Sequence, residues 1–314
     1  MGRNILIFAM GAVLSVGAAF VIAGSLREAS DDADGKEVVH VDSARVDIDQ
    51  VVIELETIEL NGEVVEALSG GHPADHDWRM EPLASLQEGL NLSESERVEV
   101  HVDGLVPYLT MTRVLFTVSE SERIPVHRFG HITESSYDVD QSHLRPEFDR
   151  KETLLAGDPD PLKLAIRISV DGFYVHAKGT VISPIDGCDS SGPTVCLVDD
   201  EIDISAVFQK ARRADSEGDQ DRAARYYDQA LDAYDFRELY NVLRKLRDVH
   251  NEGSPLRLSA DSQLPAGLVF EAMKTAEVQL ANNHYKDHDT YQQARRNGNA
   301  EGWLFPNVFL AVYQ

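Results

Sequence analysis

Apolar and polar residues alternate strictly along Arg97-Val98-Glu99-Val100-His101-Val102-Asp103, the spacing of a strand with one buried face. Upstream, Val51 to Leu60 mixes β-branched residues with regularly spaced carboxylates and ends in Asn61-Gly62, followed by Glu63-Val64-Val65. That pattern predicts a hairpin turning at Asn61 and Gly62. A short helical stretch is expected around Leu83 to Leu90. A second follows Pro107 over Leu109 to Val118, and a short strand over Ile124 to Phe129. The same order starts again at residue 162. Leu162 to Val170 alternates into an Asp171-Gly172 turn, and Phe173-Tyr174-Val175-His176 returns. Phe236, Leu239, Tyr240, Leu243 and Leu246 form one stripe of a helix over 236–249. Leu256 to Asp261 is the alternating strand, Pro265 opens a helix running to about Leu280, and 305–312 closes the chain as a strand.

The sharpest internal match is an Asp-x-x-x-Pro spacing, Asp103 with Pro107 and Asp261 with Pro265. In both places an alternating strand precedes the Asp and an amphipathic helix follows the Pro. An Asp at a strand end can accept unpaired helix N–H groups, and Pro in the first turn removes no needed donor. The spacing therefore predicts two helix starts. The repeated element order predicts a duplication.

Ile5 to Leu26 contains no charged residue and no proline, which is long enough to cross a bilayer core. Arg3 precedes it and Arg27, Glu28, Asp31, Asp32 and Asp34 follow, so the positive-inside tendency places 27–314 outside the cytoplasm. A cleaved signal peptide is the alternative reading, and it exports the same residues. Export also fits the cysteines. Cys188 and Cys196 bracket a turn-rich stretch, and a local disulfide is expected in an oxidising compartment. The formal charge of −25 excludes nucleic acid as an expected partner, since phosphate binding needs clustered Lys and Arg.

These features resemble the ExbD/TolR biopolymer-transport family. Its exported domain has a glycine-containing hairpin, a helix, a strand ending in Ala-Asp-x-x-Val-Pro-Tyr, a second helix and a final strand. Ser259-Ala260-Asp261-Ser262-Gln263-Leu264-Pro265 is similar to that strand end, as is His101-Val102-Asp103-Gly104-Leu105-Val106-Pro107-Tyr108. Leu60-Asn61-Gly62 and Val170-Asp171-Gly172 resemble the hairpin turns. The resemblance implies an α+β chain: a short cytoplasmic N-terminus at 1–4, a transmembrane helix at 5–26 and a tether at 27–46. Two ExbD/TolR-like two-layer α/β periplasmic domains follow at 47–132 and 161–314, with a linker at 133–160 and a helical insertion at 203–235. It further implies a homo-oligomeric, single-pass inner-membrane component of a proton-driven machine. Its partners would be an ExbB/TolQ-like membrane subunit and a TonB- or TolA-like protein or peptidoglycan, and it would carry no cofactor.

The chain departs from the family in one respect. Residues 5–26 lack the membrane aspartate that carries the proton in the family, so the resemblance implies an accessory or diverged member rather than the proton-carrying subunit.

Glu217 to Leu231 resembles half of a tetratricopeptide repeat; a single unit cannot bury its own face, so a helix pair packed on the host domain is expected. His72-x-x-Asp75-His76-Asp77 and His284-x-x-Asp287-His288-Asp289 share a pattern compatible with a metal, but both fall in polar inserts, where solvated loops are the expected reading. Nucleophile elbows, phosphate loops and His-Glu-x-x-His motifs are absent, which disfavours an enzyme. The competing reading is a stand-alone exported binding module for cell wall or an envelope protein.

Overall fold

The computed structural model describes residues 48–74, 81–95, 97–121, 124–129, 163–249, 255–296, 300–305 and 308–310. All lie in one compact unit, Val46–Gln314. The chain is α+β with two mixed sheets. Among the described residues no helix is long and apolar enough to cross a membrane. That corrects the expected fold class, which placed a transmembrane helix before the two domains; residues 5–26, the tether and the linker 133–160 lie outside the described residues.

The first lobe contains β1 (Ile48–Ile53), β2 (Thr57–Leu60), β3 (Glu63–Ser69), β4 (His72–Pro73), α1 (Ala84–Leu92), β5 (Arg97–Val102), α2 (Tyr108–Glu120) and β6 (Ile124–Phe129). Its sheet order is β4-β3-β2-β1-β5-β6. The β1–β2 and β2–β3 pairs are antiparallel; β1–β5 and β5–β6 are parallel. Alternation decides which face is covered. Val51, Ile53, Val98, Val100 and Val102 are buried beneath α1 and α2, which contribute Leu86, Leu90, Met111, Val114 and Val118.

The second lobe contains β7 (Leu164–Ser169), β8 (Gly172–Ala177), β9 (Thr180–Val181), β10 (Val195–Cys196), α3 (Ile204–Ser216), α4 (Gln220–Asp232), α5 (Phe236–Val249), β11 (Leu256–Ala260), α6 (Ala266–Glu277), β12 (Val278–Leu280), α7 (His288–Arg296), β13 (Ala300–Trp303) and β14 (Val308–Leu310). Its main sheet runs β10-β8-β7-β11-β14. β7–β8 is antiparallel, and β7–β11 and β11–β14 are parallel. The core of the repeat is therefore shared: a hairpin, a helix, a parallel strand beside the first, a second helix and a parallel edge strand.

Two expectations need adjustment. Asn61-Gly62 and Asp171-Gly172 are consecutive turns of the motif rather than equivalent ones. Asn61 (φ 55°) and Gly62 (φ 83°) join β2 to β3, and their counterpart is Lys178 (φ 55°) with Gly179 (φ 77°), joining β8 to β9. A turn with two left-handed residues is built in both lobes, but Lys178 gives no sequence signal for it. The helix expected to reach Leu280 stops at Glu277, because Val278–Leu280 pairs antiparallel with β13.

The insertion is a helix pair. Asp203 and Asp219 cap α3 and α4, accepting Ala206 N–H at 2.9 Å and Arg222 N–H at 3.1 Å. Ala211, Ala214, Ala223, Tyr227 and Ala230 are buried; the small side chains let the two helices approach closely. Cys188 and Cys196 form a disulfide.

Candidate functional site

The two Asp-x-x-x-Pro segments meet. Pro107 and Pro265 form an isolated antiparallel bridge, and the flanking backbones exchange four hydrogen bonds in a symmetric pattern. The N–H of Tyr108 donates to Leu264 C=O at 2.7 Å, and that of Ala266 donates to Val106 C=O at 2.8 Å. One residue further on, Leu109 N–H reaches Ser262 C=O at 3.1 Å, and Gly267 N–H reaches Gly104 C=O at 2.9 Å. Counted from each proline, the two members of each pair are the same positions. The contact is thus a local two-fold between sister units within one chain.

This pairing solves a problem each unit has alone. The first N–H groups of a helix have no partner inside it. Pro107 and Pro265 occupy the cap positions of α2 and α6, and neither makes a side-chain capping bond. Each lobe instead supplies backbone carbonyls to the other's helix start. Tyr108 deepens the contact: it is buried, and its hydroxyl donates to Leu258 C=O across the junction at 3.3 Å.

The aspartates do not cap these helices; they shape the loops before them, differently in each lobe. Asp103 accepts Leu105 N–H at 2.7 Å, closing a local turn. Asp261 accepts Arg167 Nη2 at 2.9 Å and the Ser169 hydroxyl at 2.6 Å. The backbone around them is nevertheless matched, with Asp103 N–H on Ile53 C=O and Asp261 N–H on Ile168 C=O, both 2.9 Å.

The insertion breaks the symmetry. Arg212 of α3 lies over the junction, donating from Nε to Leu105 C=O at 2.9 Å and from Nη2 to Gln263 C=O at 2.7 Å. Leu105 and Gln263 hold the same place in the two loops, two residues before the proline, so one guanidinium ties both. Tyr227 of α4 is buried against Gly104 and Gly267; a Cβ on Gly267 would stand 1.9 Å from its hydroxyl. The positions equivalent to these glycines are Ser262 and Leu109, so only one side of the two-fold admits the ring.

Beside Arg212 lies a cleft of about 590 Å³ between the β1–β2 turn, the end of β3 and the C-terminal half of α3. Leu55, Glu56, Leu68, Ser69, Arg212 and Arg213 are among the residues lining it. Burial lowers the Arg212 guanidinium to about 10. Burial also raises the Asp103 carboxyl to about 6, with Asp215 and Glu54 adding to the rise against the Leu105 hydrogen bond. Asp215 is raised by burial and by Glu56.

These shifts predict a stability maximum in mild acid. Asp103 at about 6, and buried Glu277 raised by burial to about 7, bind protons more tightly when folded. Their contribution is complete below the ordinary carboxyl range and is lost as pH rises through about 6 and 7. The loss is on the order of 2 kcal/mol per group after allowance for solvent. Glu271 has the opposite sign: burial raises it, but Arg295 and Lys274 outweigh burial and hold it at about 2. Its stabilisation is lost as pH falls from the ordinary carboxyl range toward that value. Melting temperature should therefore peak near pH 4–5 and decline toward pH 8; a flat profile would remove Asp103 and Glu277 as strained acids.

Among the described residues the histidines of the two His-x-x-Asp-His-Asp stretches are not brought together. His72 bonds Gln263 across the lobes at 2.9 Å, His284 and His288 are exposed, and His76 lies outside the described residues. Among the described residues no group of three potential ligands can hold a metal ion. The fold and site together define an α+β protein of two sister units clasped at their helix starts. No family model, curated protein or solved structure matches the chain.

Proposed function

We propose that the chain is a non-enzymatic coupling component of an ExbB/ExbD- or TolQ/TolR-like envelope machine, acting on the periplasmic side of the inner membrane. The observation that carries this reading is the repeated unit itself, in which the strand-end Asp, the Pro and the following helix recur in the same topological place and pair with each other. A paired unit of this kind is suited to transmit a displacement: the two helix starts share one set of hydrogen bonds and cannot shift independently. The disulfide supports export.

The full chain, purified from detergent-solubilised envelopes of its native host, should bring down a multi-helix ExbB/TolQ-like subunit in stoichiometric amount. Recovery of the chain without any such subunit contradicts the assignment. The cleft favours a second reading, an exported binding module, which the same preparation would support if the chain came down with cell-wall fragments alone.

A further inference from the structure

We propose that the cleft beside the lobe junction binds a singly charged carboxylate ligand of about tripeptide size, held by Arg212 and Arg213 with its apolar body against Leu55 and Leu68. The site is independent of the machine the chain serves. Its volume, about 590 Å³, lies within the range of small-ligand pockets.

The cation that lines it asks for an anion. Arg212 makes only two side-chain hydrogen bonds, both to backbone carbonyls, and has no carboxylate partner among the described residues. A guanidinium offers five N–H donors, so three remain for a ligand. Burying a charge without a counter-charge is costly, and an arriving carboxylate would pair it in the bidentate geometry that arginine favours. Arg213 lines the same cleft and makes no side-chain hydrogen bond or ion pair among the described residues. Thr57, Ser69 and Ser216 also line it, and Leu55 and Leu68 supply the apolar part.

The surrounding acids select the charge of the ligand. Glu56 lines the cleft, and Asp215 lies near enough to Glu56 to be raised by it. A dianionic phosphate meets that repulsion twice over. A carboxylate meets it once, with the same fork to bind to.

The probes are N-acetyl-Ala-Ala-Leu as free acid, the same peptide as C-terminal amide, acetate and inorganic phosphate. Each is titrated calorimetrically into the full chain. The acid should bind saturably and the amide at least about tenfold more weakly. Acetate binding as well as the peptide acid would place the source in any small carboxylate and overturn the size assignment. Arg213→Gln should weaken the peptide acid at least about fivefold while leaving the melting temperature in place. Ser216→Glu, which adds a negative charge at the exposed end of α3, should do the same and serves if the first variant does not fold. Equal affinity for acid and amide, no binding of the acid, tighter binding of phosphate, or unchanged affinity in a folded variant overturns the proposal.

Discussion

Replacing Gly267 with leucine, the residue at the equivalent place in the first lobe, is expected to destabilise the protein by about 3 kcal/mol or more. The new Cβ alone would sit 1.9 Å from the Tyr227 hydroxyl and 3.1 Å from Gly104 C=O. The neighbour that must move is a fully buried ring, packed against Phe208 with centroids 6.2 Å apart. Relief therefore requires α4 to lift from the junction. Leucine is the better helix former by about 0.8 kcal/mol, which does not offset the overlap. Alanine at the same place should cost less, about 1–2 kcal/mol net, and Tyr227→Phe should relieve part of that cost by deleting the nearest atom. Urea denaturation of the two singles and the double mutant measures the coupling. Additive effects would mean that the ring and the glycine do not meet.

Arg212→Met should cost about 2–3 kcal/mol, for a different reason. The substitution keeps the apolar stem and removes both charge-assisted bonds to the paired loops. Leu105 is fully buried, so its carbonyl is left without a partner, whereas Gln263 is exposed and its carbonyl can turn to water. The desolvation of the guanidinium is recovered at the same time, which limits the loss. Lys at this position should restore less than half of it, since a point charge cannot span two carbonyls as a planar fork does. Thermal unfolding of the full chain follows the effect, and a melting curve like that of the parent protein would show that Arg212 does not tie the lobes.

Much of the repeat could be read from residue patterns, because alternation and helical stripes report burial directly. Val98, Val100 and Val102 point inward as their spacing requires, and Leu239, Tyr240 and Leu243 form the buried stripe of α5. Other features carry no local signal. β12 and β13 form by pairing across a long separation, so Val278–Leu280 reads as the end of a helix until Trp303 lies opposite. The pairing of the two proline segments has no signal of this kind either. Local chemistry predicts Asp103 and Asp261 as caps, whereas backbone carbonyls of the sister lobe supply the acceptors. Composition cannot announce a backbone acceptor, because every residue carries one. Arg212 was equally silent: an arginine on an amphipathic helix reads as a solvated charge until its carbonyl partners are known. Gly104 and Gly267 gave the one available hint, as small residues beside both prolines.

Hydrogen exchange at the helix starts tests the clasp most directly. The amides of Tyr108, Leu109, Ala266 and Gly267 should exchange slowly and together, only through an opening that separates the two lobes. Fast, independent exchange of these amides, as at an ordinary exposed helix N-terminus, would mean that the sister units do not complete each other.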